Sequence, residues 1–516
     1  MHYLLVLDVP SIKDYVLSSE RLVEVRGASA LLDQLNREFM PKFLKEQLGH
    51  DNVNCVFVGG GGGQFIIRAA ESVINSAVDK LKGEFFRRSA GGLRLISGIA
   101  EYSEDTYQDS LQRAFFRLNL EKEENPFLIQ SSTHIGLMRE CESCSKPASV
   151  VDKYAETEWI LCETCHGKVE FASKNRGLWN SFADFLETRG VTKTRRPKDF
   201  EEIAASSMKK GHLALVYADG NSMGKLIKTI VSSDSFAFFS KTVDTAIRES
   251  CHEALFEVGV GSDGVADILL LGGDDLLVCL NADAALRFSI LAAKKFEEKT
   301  CSVFAGDPAK APKKLKGKGL TISFGIVFAK SHTPFSLLLD QAEQLLKSAK
   351  KTGSEDKRSQ GYYAPTYIDF HFFSRYSQTD VADSRKKFLH ISDSNGVPVV
   401  LHQRPYSLEG IDALNDHAQA ILNTRVSRSR LKRLGRAPFL GVMNGTLECL
   451  QLIGRTKIEN QKKSIWDALD TFGCANQVPW KGTKGETKST MLVDLLEIAE
   501  FFGPNLGGSK DAHHSA

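Results

Sequence analysis

Residues 268–281, ILLLGGDDLLVCLN, set two glycines and two aspartates between two apolar runs. Each run is long enough for a buried strand, and the break predicts a tight hairpin. Gly272 and Gly273 suit positive φ or a close approach to a ligand. Asp274 and Asp275 are adjacent carboxylates that repel each other and lose hydration on burial. Folding gains little from them, so a cation is their natural counterpart. A plain surface turn is the competing reading of a Gly-Asp pair.

A third carboxylate comes from another strand. LALVYAD (213–219) ends on Asp219, and DGNSMGK (219–225) leads from it into a helix. If the chain runs β-α-β-β-α-β, the first strand pairs antiparallel with the third. Asp219 then meets the hairpin at one sheet edge, although 55 residues separate it from Asp274. Such a group, with Gly220 beside it, suits hard divalent cations, Mg2+ or Mn2+, which complete their shells with water and phosphate oxygens. Two ions would activate an attacking hydroxyl and steady a leaving pyrophosphate. Neighbouring strand residues face opposite ways, so one hairpin aspartate is a direct ligand and the other supports it; Asp274 is the preferred ligand. Backbone N–H groups from Gly220, Asn221, Ser222, Met223, Gly224 and Lys225 would receive phosphates. Lys350, in AEQLLKSAKKTG (342–353), would reach a triphosphate from the last helix. A solvated surface lysine is the alternative there.

CESC (141–144) and CETC (162–165), 17 residues apart, are two knuckles of a closed four-thiolate zinc site. Cys141, Cys144, Cys162 and Cys165 are its ligands, and the zinc is structural because no open position is left. His166 is surplus.

Bulk properties frame these sites. The 516 residues are 42% hydrophobic and 25% charged, an ordinary globular composition with enough length for several domains. A net charge of +2 excludes a uniformly cationic nucleic-acid binder, so any such surface is a local patch. The N-terminus reads as a strand and not as a signal peptide, and no run is long enough for a membrane span. Ten cysteines, four of them in CxxC pairs, fit a reducing, cytoplasmic setting.

The elements that must position the acids occur twice. YLLVLDV (3–9), NCVFVGGGGGQFIIRA (54–69) and LRLISGIAEY (93–102) alternate with helices in the order found again at 213–219, 266–281 and 320–329. An interval of 211 relates Asp8 to Asp219, Gly63 to Asp274 and Gln64 to Asp275. Intervals of 227 and 228 relate Gly98 to Gly325, Ala114 to Ala342 and Lys122 to Lys350. This predicts an α+β chain with two ferredoxin-like palms. The expected division is a first palm over 1–130, a four-cysteine module over 131–175 and a connector over 176–210. The second palm covers 211–355, its extension 356–404, a helical domain 405–505, and a disordered tail 506–516. The first hairpin, GGGGGQ (59–64), has no acids. It is either a degenerate half or a surface that holds a second, acceptor nucleotide, with Gly61, Gly62, Ser29 and Arg26 lining it. RVSRSRLKRLGR (425–436) carries six positive charges and is a solvated helix face or a contact for RNA or a neighbouring subunit.

A first-strand aspartate, a GGDD hairpin and an A-K-x-x-G helix together resemble the palm/cyclase superfamily, which includes GGDEF cyclases. Over nearly its whole length the chain resembles the large subunit of type III CRISPR interference complexes. Its SIKDYVLSSERLVEVRGASALL (11–32) and IDFHFFSRY (368–376) are similar to that family's motifs. The resemblance implies conversion of ATP to cyclic oligoadenylates that activate downstream effectors. It also implies partner subunits with guide and target RNA, metal at Asp219, Asp274 and Asp275, and ATP near Gly220–Lys225 and Lys350. Many family members begin with an HD nuclease. Here a palm strand begins at Tyr3, and His50-Asp51 lacks the helical histidines of such a domain, so no DNase activity is expected. Two alternatives stand beside this: a silent scaffold subunit, and a stand-alone palm cyclase with another nucleotide product.

Overall fold

The structure is a computed structural model that describes residues 1–124, 139–154, 157–175, 177–191, 195–261, 265–359, 361–373, 380–392, 396, 398–482 and 487–501. The tail expected at 506–516 lies outside the described residues.

The first palm contains β1 (Tyr3–Asp8), α1 (Ile12–Val16) and α2 (Leu22–Gln34), which continues through a π-helical turn at Leu35–Phe39 into α3 (Met40–Leu48). Then follow β2 (Val53–Gly59), β3 (Gly62–Ile67), α4 (Glu71–Arg88), β4 (Ile96–Glu101) and α5 (Tyr107–Glu124). The strands form one antiparallel sheet in the order β2-β3-β1-β4. Alternation along β1 is strict. Leu4 and Val6 join one apolar core, while Tyr3, Leu5 and Leu7 join another.

A two-stranded knuckle follows, β5 (Val150–Tyr154) and β6 (Thr157–Leu161), with α6 (Glu163–Lys174). α7 (Leu178–Thr188) and α8 (Phe200–Ser206) make the connector. The second palm repeats the first: β7 (His212–Gly220), α9 (Met223–Ile227), α10 (Ser233–Glu257), β8 (Ala266–Gly272), β9 (Asp275–Asn281), α11 (Ala285–Gly306), β10 (Ile322–Lys330) and α12 (Phe335–Glu355). Its sheet keeps the same order and is widened by β11 (Tyr367–Phe372), parallel to β10, and by a short strand at Tyr406–Ser407. The aromatic extension read from the sequence is therefore an added strand. The remaining chain is mainly helical, with a small sheet at its base. No helix among the described residues is long and apolar enough to cross a membrane.

Strand registers correct one part of the repeat. Gly98 lies opposite Val6 and Gly325 opposite Tyr217, so that pairing is as expected. The hairpin interval is 213, not 211. Gly59 pairs with Gly62 where Gly272 pairs with Asp275, leaving turns at 60–61 and 273–274. Gly61 thus stands where Asp274 stands, and Gly62 where Asp275 stands. Gln64 is buried two residues along β3 and accepts from the Tyr107 hydroxyl at 3.0 Å. The two-residue slip arises because the helical segment before the first hairpin is shorter than α10 and its flanks.

The palms share a core. Leu5 and Leu7 belong to the same apolar cluster as Leu213, Leu215, Tyr217 and Leu277. The hairpin tips meet as well: a Cβ built on Gly60 or Gly273 would come within 4.0 Å of the other's Cα.

Candidate active site

Asp219 closes β7 directly opposite Asp275 on β9. Cross-strand partners share a sheet face, so these carboxylates are neighbours. Asp274, in the turn, reaches over the end of β7, where its carbonyl accepts from the Gly220 N–H at 3.2 Å. A Cβ on Gly220 would lie 2.9 Å from that of Asp274, so only glycine lets the hairpin close so tightly over the strand end. Burial, and then repulsion from Asp219 and Asp275, pushes the Asp274 carboxyl well above its ordinary value. Burial and Asp219 push Asp275 up to about 6.

Lys350, from α12, answers this charge. Its ammonium donates to the Asp219 carboxylate and, at 2.8 Å, to the Gly220 carbonyl. A cation therefore already rests on two of the oxygen donors named from the sequence. Three mutually repelling carboxylates and a backbone carbonyl fit a hard divalent cation.

The cleft in front of them measures about 430 Å³ and is lined by Asp219, Gly220, Ser222, Met223, Gly224, Lys225, Lys228, Asp274 and Lys350. Lys228 is an addition that one more turn of the sequence pattern would have supplied. Asn221 is a correction. Its side chain is buried, donates to Thr321 Oγ1 at 3.0 Å and accepts from Ser323 at 3.0 Å, and its N–H is spent on the Thr321 carbonyl. It fixes the turn and offers phosphate nothing.

Asp275 also lines a second cleft, of similar volume, between the palms. Asp8, Lys13, Ser29, Gly60, Gly61, Lys122 and Gly272 share it. Asp8 and Lys122 occupy the places that Asp219 and Lys350 hold in the other palm. Burial raises the Asp8 carboxyl, with Lys122 pulling against it. Gly272 and Gly61 line this cleft, Gly62 and Gly273 complete the two turns, and Ser29 faces in from α2. Arg26 is a second correction. It is turned away, donating to the buried Asp267 carboxylate and to the Pro197 carbonyl at 2.6 Å. Arginine on α2 reads as a phosphate ligand until its strand partner is known.

Four charged residues that the sequence reading missed cross between the palms. Arg37 donates to Asp33 at 2.8 Å and to both oxygens of Asp244 at 2.5 and 3.1 Å. Arg248 donates to Asp244 at 3.3 Å and to Asp33 at 3.5 Å. The signal was available, because 33 and 37 become 244 and 248 at the interval that relates Asp8 to Asp219.

The knuckle behaves as a metal site should. The sulfurs of Cys141, Cys144, Cys162 and Cys165 all lie within 4.8 Å of one another, with Cys144 and Cys162 at 3.6 Å. Tetrahedral zinc with bonds of ~2.3 Å needs sulfurs about 3.8 Å apart, so the donor set fits. His166 is engaged with Asp152 at 3.0 Å. The basic segment forms a helix at Arg428–Arg436, with Leu431 and Leu434 buried and Arg433 paired to Glu448 at 2.6 Å.

Two ferredoxin-like palms face each other across one acid-bearing hairpin, with a thiolate knuckle between them in the chain, and this defines a two-palm protein. Residues 212–359 match the family model described as Cas10/Cmr2, second palm domain. In fold the chain is similar to the crystal structure of the apo Csm1–Csm4 cassette, with TM-score 0.60 and 14% identity, over 97% of this chain and 70% of that one. That cassette in complex with cA4 gives 0.58 and 14%, over 97% and 69%. Csm1 in T. onnurineus gives 0.54 and 15%, over 96% and 69%. No curated protein matches the chain in sequence. The second palm thus matches the Cas10/Cmr2 family model, and the chain as a whole is similar in fold to about 70% of Csm1.

Proposed function

We propose that the second palm is a metal-dependent nucleotidyltransferase that converts ATP into cyclic oligoadenylates. The observation that carries this is the crowding of Asp219, Asp274 and Asp275 around one hairpin, between two clefts whose other walls supply lysines. Divalent cations held by those carboxylates and the Gly220 carbonyl would supply the activation of the hydroxyl and the neutralisation of pyrophosphate.

The chain's own groups do the rest. Lys350, Lys225 and Lys228 neutralise the triphosphate of the donor ATP in the outer cleft. The acceptor ATP lies between the palms, where Gly60 and Gly61 allow close approach and Lys13 and Lys122 meet its phosphates. Its 3′ oxygen attacks the donor α-phosphorus. The new P–O bond replaces the bond to pyrophosphate, and the hydroxyl proton passes to solvent. Attack by the chain's last 3′ hydroxyl on its own 5′ α-phosphorus releases the final pyrophosphate and closes the ring. Similar structures have been solved with AMPPNP and with cA3, which supports adenine nucleotides as the ligand class.

We further infer that the protein is a cytoplasmic large subunit that works with partner subunits, guide RNA and target RNA, its product acting on separate effectors. A catalytically silent scaffold is the rival reading. The presence of all three acids, with Asp274 and Asp275 raised by burial and by repulsion from neighbouring carboxylates, speaks against it. The test is incubation with ATP and Mg2+ or Mn2+, read by mass spectrometry, beside an Asp274→Ala/Asp275→Ala variant. Oligoadenylates from the first alone support the reading. Their absence from the isolated chain and from its co-purified complex with target RNA overturns it.

A further inference from the structure

Asp33 and Arg37 are four residues apart at the junction of α2 and its π-helical turn, and Asp244 and Arg248 are four apart on α10. Each arginine bonds the aspartate of its own palm and that of the other, so the four charges form a closed ring with two-fold character. What the ring touches matters more. Arg248 donates to the Leu271 carbonyl at 3.0 Å, and Asp244 accepts from the Gly273 N–H at 3.4 Å. Those two backbone groups flank Gly272, and Gly273 immediately precedes Asp274. A Cβ on Gly272 would lie 3.7 Å from Arg37 Nη2 and 4.0 Å from Arg248 Nη2, so the guanidiniums close over the turn.

We propose that Arg37, acting through Asp244, is a positioning residue by which the first palm sets the GGDD hairpin. The acid-free palm is then required for the geometry of the acidic one, besides any nucleotide it holds. Arg37, Asp244 and Arg248 line neither cleft; Asp33 borders the inter-palm one and joins the ring through its bond to Arg37. Arg37 bonds Asp244 with a two-pronged geometry that lysine cannot reproduce. The ring members are half-buried, their side chains 15–36% exposed, so water competes weakly for their bonds. Palm association does not depend on the ring, because the apolar cluster that spans both sheets already joins them. Its loss should therefore loosen the hairpin while leaving the fold standing.

The kinetic arm of the test rests on the nucleotidyltransferase reading; the exchange arm does not. Arg37→Gln, Asp244→Asn, the double variant and Arg37→Lys are made in the full chain. Amide hydrogen exchange is followed over residues 268–281, with β7 as the internal reference. Exchange at Gly273–Asp275 is expected to rise about tenfold in each single variant, with little further rise in the double. Arg37→Lys is expected to recover only part of the protection. Where the wild type makes oligoadenylate, kcat falls about tenfold or more while the KM for ATP stays within about twofold. Hairpin exchange within about twofold of the wild type overturns the proposal, as does a rate loss carried wholly by KM. A wild type that makes no product counts against the reaction, while the exchange result still decides the ring.

Discussion

Lys350 bridges Asp219 and the carbonyl of Gly220, placing an ammonium where the sequence calls for a metal ion. The contact balances the site when no other cation is present, and on the proposed reading a metal ion would free the lysine to meet a triphosphate. Replacing Lys350 by glutamine removes both roles. Oligoadenylate synthesis should fall about 10²-fold or more, the scale for losing one charged donor at a reacting phosphate. The melting temperature of the metal-free protein should fall too, and added Mg2+ should restore more of it than in the wild type. Steady-state rates and thermal melts with and without Mg2+ check both.

The carboxyl pair gives stability a definite pH dependence. Burial and Asp219 push Asp275 up to about 6 in the folded chain, from its ordinary 3.8, and burial with two neighbouring carboxylates also raises Asp274 well above that ordinary value. The folded state therefore holds protons that the unfolded state has released. That contribution is complete below pH ~4 and is lost as the pH rises through 6 and beyond. Metal-free protein should melt lower at pH 7.5 than at pH 5.5, as far as these two groups decide it. Asp274→Asn/Asp275→Asn should flatten the slope and raise the melting temperature at pH 7.5. Saturating Mg2+ should do the same for the wild type.

Much of this was readable from the residues alone. Asp219 and the hairpin are placed together because a β-α-β-β-α-β order pairs the first strand with the third. The four cysteines were legible because zinc demands few spacings. The rest was hidden for separate physical reasons. Arg26 and Asn221 have side chains able to bind phosphate, but buried partners, Asp267 for one and Thr321 and Ser323 for the other, had claimed them. Those partners lie 241, 100 and 102 residues away, beyond the reach of a local pattern. The two-residue difference in segment length before the hairpins was not legible, because a glycine run carries no side chain to fix register. The Asp33–Arg37 and Asp244–Arg248 pairs escaped notice because surface-type i, i+4 pairs are common on helices.

Zinc should be present at about one per chain, bound by all four thiolates. Stripping it with a strong chelator should expose four reactive thiols together, because all four sulfurs lie within 4.8 Å of one another and would share one ion. Cys162→Ser should lower the zinc content well below stoichiometry. Metal analysis beside thiol titration gives the count.

The knuckle's helix is packed on the first palm closely enough for a single methyl group to test it. A Cβ on Gly27, in α2, would sit 1.7 Å from the backbone carbonyl oxygen of Lys168 in α6 and 3.2 Å from Ala172. Backbone cannot rotate away as a side chain can, so Gly27→Ala must separate the helices. A cost of about 1–3 kcal/mol is expected, the range for overpacking a tight core. Lys168 is drawn in at the same place: buried in α6, it donates to the Tyr15 carbonyl at 2.5 Å and to Ser18 at 3.1 Å. Parting the helices should therefore also loosen α1, whose Ile12, Lys13 and Asp14 line the inter-palm cleft. Gly83→Ala, on α4, is the control. Nothing lies within 4 Å of its Cβ position, and replacing a helical glycine there should stabilise by about 0.5–1 kcal/mol. Equal effects from the two substitutions in chemical denaturation would contradict this packing.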